Sequence, residues 1–159
     1  MSVTVNSYLT FKVGQETFGV NVSKVMEIRE YQKPQSLPQS LPFVAGVIAY
    51  NEEVIPLIDT GLKFGMDALT INAATCIVVL QLVNDVLGKT YRVAILVDTV
   101  SDVLESDDTS MKPITDDYRP EYIFSTYKQD DQFIYILNAD MVFNQKEIIA
   151  LLDSIKQLK

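Results

Sequence analysis

Four pairs of adjacent carboxylates are the side chains best suited by type to chemistry: Glu52-Glu53, Asp107-Asp108, Asp116-Asp117 and Asp130-Asp131. Paired carboxylates can share the roles of general acid and general base, or ligate a hard cation. None of these pairs stands in the D-x-D-x-D-G register of a calcium loop. Each falls in a stretch that reads as a polar loop, where such a pair is ordinarily a solvated one. Cys76 is the single thiol. It lies in the apolar run Cys76-Ile77-Val78-Val79-Leu80, and the chain contains no histidine to activate it. A core thiol is the reading, not a nucleophile. The missing histidine also removes Ser-His-Asp and Cys-His pairs, histidine-liganded zinc and any phosphohistidine relay. No Walker or G-x-G-x-x-G loop occurs, and no G-x-S-x-G elbow. The residue types point away from catalysis, metal and cofactor chemistry, and towards recognition by surface.

Composition narrows the partners. Thirteen cations against 21 acids give a net charge of -8 over 159 residues. An acidic chain without a basic stripe lacks the phosphate neutralisation on which nucleic-acid affinity rests. Anionic membrane surfaces are disfavoured for the same reason. Apolar runs stop well short of the roughly 20 residues a membrane-spanning helix needs, so direct membrane insertion is not expected. The first seven residues lack a secretory signal's basic-then-apolar layout, and one cysteine agrees with a reducing cytoplasm.

The elements that must carry such a surface are mostly strands. Leu9, Phe11 and Val13 alternate with Tyr8, Thr10 and Lys12, and the pattern resumes at Phe18, Val20 and Val22, which predicts a hairpin about Gly14-Gln15. Gly19 within the second arm suggests a bulge or a close backbone approach. Asn21 can cap a short helix to about Glu27, with Val22, Val25 and Met26 at helical spacing on one face. That face suits either the core or an interface. Residues 31–42 hold three prolines and read as an extended connection.

Residues 43–59 form two apolar arms about the break Tyr50-Asn51-Glu52-Glu53, a second hairpin. Pro56 within its second arm removes a ladder donor and suggests an edge strand or a bulge. Residues 60–65 read as a helical turn ended by glycine. The continuous apolar run after Thr75 suits a strand buried on both faces. Further strands are predicted at 91–98, 100–104, 122–127 and 132–137, and a short helix from Asn138 to about Phe143. A last helix is capped by Asn144 with Glu147 three residues on, and carries the stripe Ile148, Leu151, Leu152, Ile155 and Leu158. Nine or ten short strands with few helices predict a barrel or sandwich, with two β lobes divided by the 66–74 loop.

Read in order, these segments resemble the CheW-like coupling proteins of bacterial chemotaxis. The likeness runs from Tyr8-Leu9-Thr10-Phe11 and Phe18-Gly19-Val20 through Lys24-Val25-Met26-Glu27-Ile28-Arg29. Gly46-Val47-Ile48, Val54-Ile55-Pro56-Leu57-Ile58-Asp59 and Lys63-Phe64-Gly65 follow. It then continues through Val97-Asp98-Thr99-Val100-Ser101-Asp102-Val103-Leu104, Lys112-Pro113 and Glu121-Tyr122-Ile123 to Leu151-Leu152-Asp153-Ser154. Any one motif is weak; the collinear set is specific. The resemblance implies a mainly β fold of two five-stranded SH3-like barrels packed side by side, with short helices and a C-terminal helix. The expected domain spans residues 8–143. Its first subdomain covers about 14–70 and its second about 75–143, with the 8–13 strand joining the second; residues 144–159 form the helix.

The implied role is that of a non-catalytic, cytoplasmic adaptor. It would join chemoreceptor cytoplasmic tips to the regulatory domain of a CheA-type histidine kinase and reach membrane receptor arrays through those partners. By alignment, Val22, Val25, Ile77, Val100 and Val103 are expected to line an apolar receptor-binding groove. Glu27, Gly46, Asn51 and Glu52 are expected to face the kinase. The family pattern Gly-Val-Ile-Asn-Leu-Arg-Gly reads here Gly46-Val47-Ile48-Ala49-Tyr50-Asn51-Glu52, so an arginine is replaced by Asn51 and a glycine by Glu52. Glutamate disfavours a turn with positive φ, unless Asn51 takes that conformation instead. A divergent scaffold of gliding or pilus motility, or a small-ligand sensor domain, is the alternative reading.

Overall fold

The computed structural model describes residues 5–38, 40–107, 112–113, 122–129 and 131–156. Its strands fall into two sheets, and the chain crosses between them twice. The six-stranded sheet takes β1 (Val5–Val13), β2 (Glu16–Asn21), β8 (Thr99–Asp107), β9 (Lys112–Pro113), β10 (Ile123–Gln129) and β11 (Gln132–Leu137), in the order β8-β1-β2-β11-β10-β9. The five-stranded sheet takes β3 (Val25–Glu30), β4 (Val44–Tyr50), β5 (Glu53–Asp59), β6 (Cys76–Asn84) and β7 (Lys89–Val97), in the order β3-β6-β7-β5-β4. The mainly β architecture with two subdomains is as expected. The division between them is not: the 66–74 loop does not separate the sheets, because β6 and β7 pair beside β3 and β5. Strand β2 pairs with β1, so residues 16–21 belong with the other sheet. Sequence proximity cannot reveal this, since the parallel pairings β11 to β2 and β5 to β7 join distant segments.

Both faces of the central strands are apolar, and the two faces serve different cores. On β6, Val78, Leu80 and Leu82 enter a large core shared with Leu9, Phe11, Val13, Phe18 and Val20 of the other sheet. Ile77 and Val79, alternating with them, enter a smaller core with Ile48, Ile55, Leu57, Ala94 and Leu96, all from the five-stranded sheet. Tyr8, Ile134 and Ile136 form the corresponding small core of the six-stranded sheet. The continuous apolar run at 76–80 thus reflects burial on two sides.

Local features have identifiable causes. A Cβ on Gly19 would lie 3.1 Å from Ile136 Cδ1, so the close approach is real. Pro56 is not on an edge, because β5 lies between β7 and β4. Its partner Val47 turns both its N–H and its carbonyl towards Gln35, at 2.8 and 3.0 Å. Pro56 therefore faces its ring nitrogen away from β4, to the side where pairing with β7 begins only at Leu57. No ladder bond is lost there. Asp59 caps the short α1 (Thr60–Lys63), accepting from Leu62 N at 3.2 Å, and Gly65 ends the turn with φ 79°.

The last helix, α2 (Gln145–Lys156), opens on a reciprocal capping box. Asn144 N donates to Glu147 Oε1 and Glu147 N donates to Asn144 Oδ1, both at 2.9 Å. Ile148 and Leu151 are buried in the shared core, with Leu152 packed against it. Lys63 joins the parts. Its ammonium lies 5.2, 5.5 and 5.6 Å from the ring centres of Phe43, Tyr122 and Phe143, and 3.6 Å from Glu147 Oε1.

Candidate functional site

The first candidate surface forms where the chain passes from one sheet to the other. Asn21 Oδ1 accepts from Ser23 N at 2.9 Å and stops β2 in a single 3-10 turn, Val22–Lys24. The expected helix to Glu27 ends there, because β3 begins at Val25 and pairs with β6. Lys24 fixes the turn from below through an ion pair with Asp140 at 2.7 Å. On β3 the register slips between Val25 and Glu27, so Met26 is an extra residue. Val25 lies opposite Leu80 and Ile28 opposite Val78, and both of those partners face the shared core. The bulge places Val25 and Ile28 on one side although they are three apart. The helical spacing read at Val22, Val25 and Met26 is thus divided between the 3-10 turn and the start of a bulged strand.

Val22 is 38% exposed and Ile28 47%, while Val25 is partly buried against the shared core. Strand β8 supplies a matching outer edge. Val100 lies opposite Phe11 and packs on the same core; Val103 lies opposite Leu9 and is 50% exposed. Val103, Leu9 and Val20 make one row across β8, β1 and β2. Val25 and Val100 pack at the rim of the shared core, while Val22, in the turn after β2, and Val103, on β8, are exposed. Ile77 does not join them: it is fully buried in the small core, on the other face of β6. It offers nothing to a partner. Ile28 is the rim residue the sequence reading missed, since only the bulge brings it round.

The second candidate surface is the β4–β5 tip. Tyr50 pairs with Glu53, leaving Asn51 and Glu52 as the turn. Asn51 takes φ 53°, so it supplies the positive φ that Glu52 cannot supply cheaply. Glu52 is exposed, and Glu53 is held by an ion pair with Arg92 of β7. Glu27 reaches this side from β3, its side chain 43% exposed and paired with Arg29 at 2.8 Å. Gly46 does not belong to the surface. It is buried with φ 152°, and a Cβ there would sit 2.4 Å from the carbonyl oxygen of Gln35. Its lack of a side chain lets the 31–42 connection cross β4 and bond Val47. The structure thus separates Glu27, Asn51 and Glu52 from Gly46, whose role is backbone clearance.

Nothing resembling a reaction centre accompanies these surfaces. Among the described residues there is no cluster of three or more Cys, Asp or Glu able to hold a metal. Cys76 is half-buried, its thiol donating to Ala74 O at 3.3 Å. Of the acidic pairs, Glu52-Glu53 is the one whose two side chains are both described. Asp116-Asp117 falls outside the described residues, as do the side chains of Asp107-Asp108 and Asp130. No helix among the described residues is long and apolar enough to cross a membrane. Tyr91 has a buried hydroxyl with no hydrogen-bond partner; burial first, then Asp140 and Glu147, raises its pKa above the ordinary phenol value.

Comparison with known proteins gives this architecture a family. A family model for the CheW-like domain matches residues 7–147. The chain belongs to the CheW-like family. A chemotaxis protein CheW of Rhizobium meliloti is 30% identical over 142 residues, covering 87% of this chain and 88% of the relative. A chemotaxis protein CheW of Klebsiella aerogenes is 26% identical over 151 residues, covering 93% and 87%. In three dimensions the fold is similar to the crystal structure of the scaffolding protein TtCheW of Thermoanaerobacter tengcongensis. The TM-score is 0.77 at 21% identity, over 91% of this chain and 96% of that one. CheW-like membership places the chain among the non-catalytic scaffolds of chemotaxis signalling.

Proposed function

We propose that the protein is a cytoplasmic adaptor that couples chemoreceptor cytoplasmic tips to the regulatory domain of a CheA-type histidine kinase. The observation that carries this reading is the set of exposed aliphatic side chains Ile28 and Val103, on the outer strands β3 and β8 of two sheets that share one core, and Val22, in the turn that leads into β3. An amphipathic helical tip is the partner chemistry such a rim suits, because its apolar stripe removes these side chains from water. The polar β4–β5 tip, remote in kind from that rim, suits a second partner that needs register more than burial. A scaffold requires two surfaces of this sort, and membership of the CheW-like family supplies the prior for their occupants.

The decisive experiment mixes the protein with its cognate kinase and a receptor signalling tip. A co-sedimenting complex with altered autophosphorylation is expected; absence of binding to either partner at micromolar concentration overturns the reading. Val25→Asp and Val103→Asp test the rim. Val25 also packs on the core, so Val103→Asp, at a half-exposed side chain, separates lost binding from lost folding. Receptor affinity is expected to fall about tenfold in Val103→Asp, the scale of one buried aliphatic contact exchanged for a charge.

A further inference from the structure

The five-stranded sheet has its outer strands, β3 and β4, at opposite ends of the strand order. One side chain spans them. Arg29 lies opposite Ile77, and so on the side of β3 that faces the sheet's own small core. Its Nη1 donates to the carbonyl oxygen of Ala49 on β4 at 2.8 Å, and its guanidinium carbon lies 5.4 Å from the centre of the Tyr50 ring. Its Nε and Nη2 donate to Glu27 Oε2 at 3.1 and 2.8 Å. A planar fork with donors on three sides can serve a carbonyl, a carboxylate and a ring face together; an ammonium cannot. Tyr31 and Tyr50 pack on the small core between the same two strands. The sheet therefore curls until its edges meet: the chain leaving β3 joins β4 by the two backbone bonds between Gln35 and Val47, and Arg29 fastens the seam beside that bridge with a side chain.

We propose that Arg29 is a latch. By closing the seam between β3 and β4 it holds Glu27 and the Asn51-Glu52 tip in one fixed arrangement, and the arrangement is what a partner reads. The inference deepens the reading of the tip as a partner contact and rests on it. Arg29 is a positioning residue: three of its five donors are used inside the seam, and the charges the tip presents are the exposed Glu27 and Glu52 carboxylates. The surface that fits them carries arginine or lysine.

The test uses the full chain with Arg29→Ala, Arg29→Gln and Arg29→Lys, and the regulatory domain of a CheA-type kinase as the probe. Amide exchange across the β4–β5 hairpin is expected to quicken about tenfold in Arg29→Ala and Arg29→Gln while β6 and β7 keep their protection, as for opening of a local unit. Kinase-domain affinity is expected to fall roughly tenfold in both, with Arg29→Lys between them and the wild type, because lysine retains the charge without the fork. Glu52→Lys, which leaves the seam intact, is expected to weaken binding without changing exchange. Unchanged hairpin exchange in Arg29→Ala and Arg29→Gln overturns the latch. Faster exchange with unchanged affinity, when Glu52→Lys does weaken binding, overturns its positioning role and leaves the partner reading standing. If the wild-type protein does not bind the domain, the partner reading fails, and exchange alone decides whether the seam depends on Arg29.

Discussion

The rim at β3 and β8 exposes side chains that water solvates poorly, whereas the β4–β5 tip exposes groups that water solvates well. Val22, Ile28 and Val103 gain by being covered, and Val25 and Val100, on the same two outer strands as Ile28 and Val103, pack on the large core. The tip gains little from burial. Its geometry comes from a positive φ at Asn51, the pair Glu53 with Arg92, and Arg29 across the seam. A surface of the first kind supplies affinity; one of the second kind supplies orientation and selectivity. The contrast also sorts the residues that do not belong. Ile77 and Gly46 occupy positions aligned with each surface, yet both are buried and serve the fold.

The largest effect that would sharpen the contrast is at Ile77. Ile77→Ala leaves a cavity in the small core and is expected to cost about 2–5 kcal/mol of stability by urea denaturation. Receptor affinity per folded molecule should stay unchanged; a loss there would return Ile77 to the rim. Gly46→Ala comes next. The backbone at φ 152° and the approach to Gln35 should cost roughly 1–3 kcal/mol, visible as a lowered Tm. If stability holds and only kinase binding falls, Gly46 belongs to the tip after all.

Salt gives a smaller but cleaner separation. Raising ionic strength should weaken binding at the acidic tip and leave binding at the aliphatic rim nearly unchanged, as titrations of the two partners would show. Equal salt dependence would erase the distinction between the surfaces. Tyr91 lies in neither and serves as the control. Tyr91→Phe removes a buried hydroxyl that has no partner, with an expected gain of roughly 1 kcal/mol and no change in either affinity. Its raised phenol pKa means that the folded state keeps a proton that the unfolded chain, with tyrosine near about 10, gives up. Stability should therefore fall as pH rises above that value, and less steeply in Tyr91→Phe. Tyr122, raised by burial and then by Glu147, keeps part of the slope.

How much was legible differs between the surfaces for the same reason. The tip is local. The sequence leaves open a turn strained at Glu52 or one with Asn51 in the positive-φ position, and the structure has Asn51 there at φ 53°. The rim is not local. Val25 and Ile28 share a side through one inserted residue, and Val103 lies on an outer strand of the other sheet, which chain order does not suggest. The latch was invisible as well, since Arg29 and Ala49 are twenty residues apart and meet only because the sheet curls.

By itself the sequence determined the local pieces: the first hairpin, the asparagine cap at residue 21, the capping box at Asn144 and Glu147, and the doubly apolar strand β6. Each depends on hydrogen bonds or side-chain alternation within a few residues, and residue type is enough to specify those. The tertiary structure alone decided which strands share a sheet, which face of β6 serves which core, and which aligned residues reach the surface. Those outcomes depend on parallel pairings between distant segments and on register slips such as those at Met26 of β3 and Ser101 of β8. A one-residue slip reverses every side chain beyond it, so the pattern of residue types fixes the strands without fixing the faces they turn to a partner.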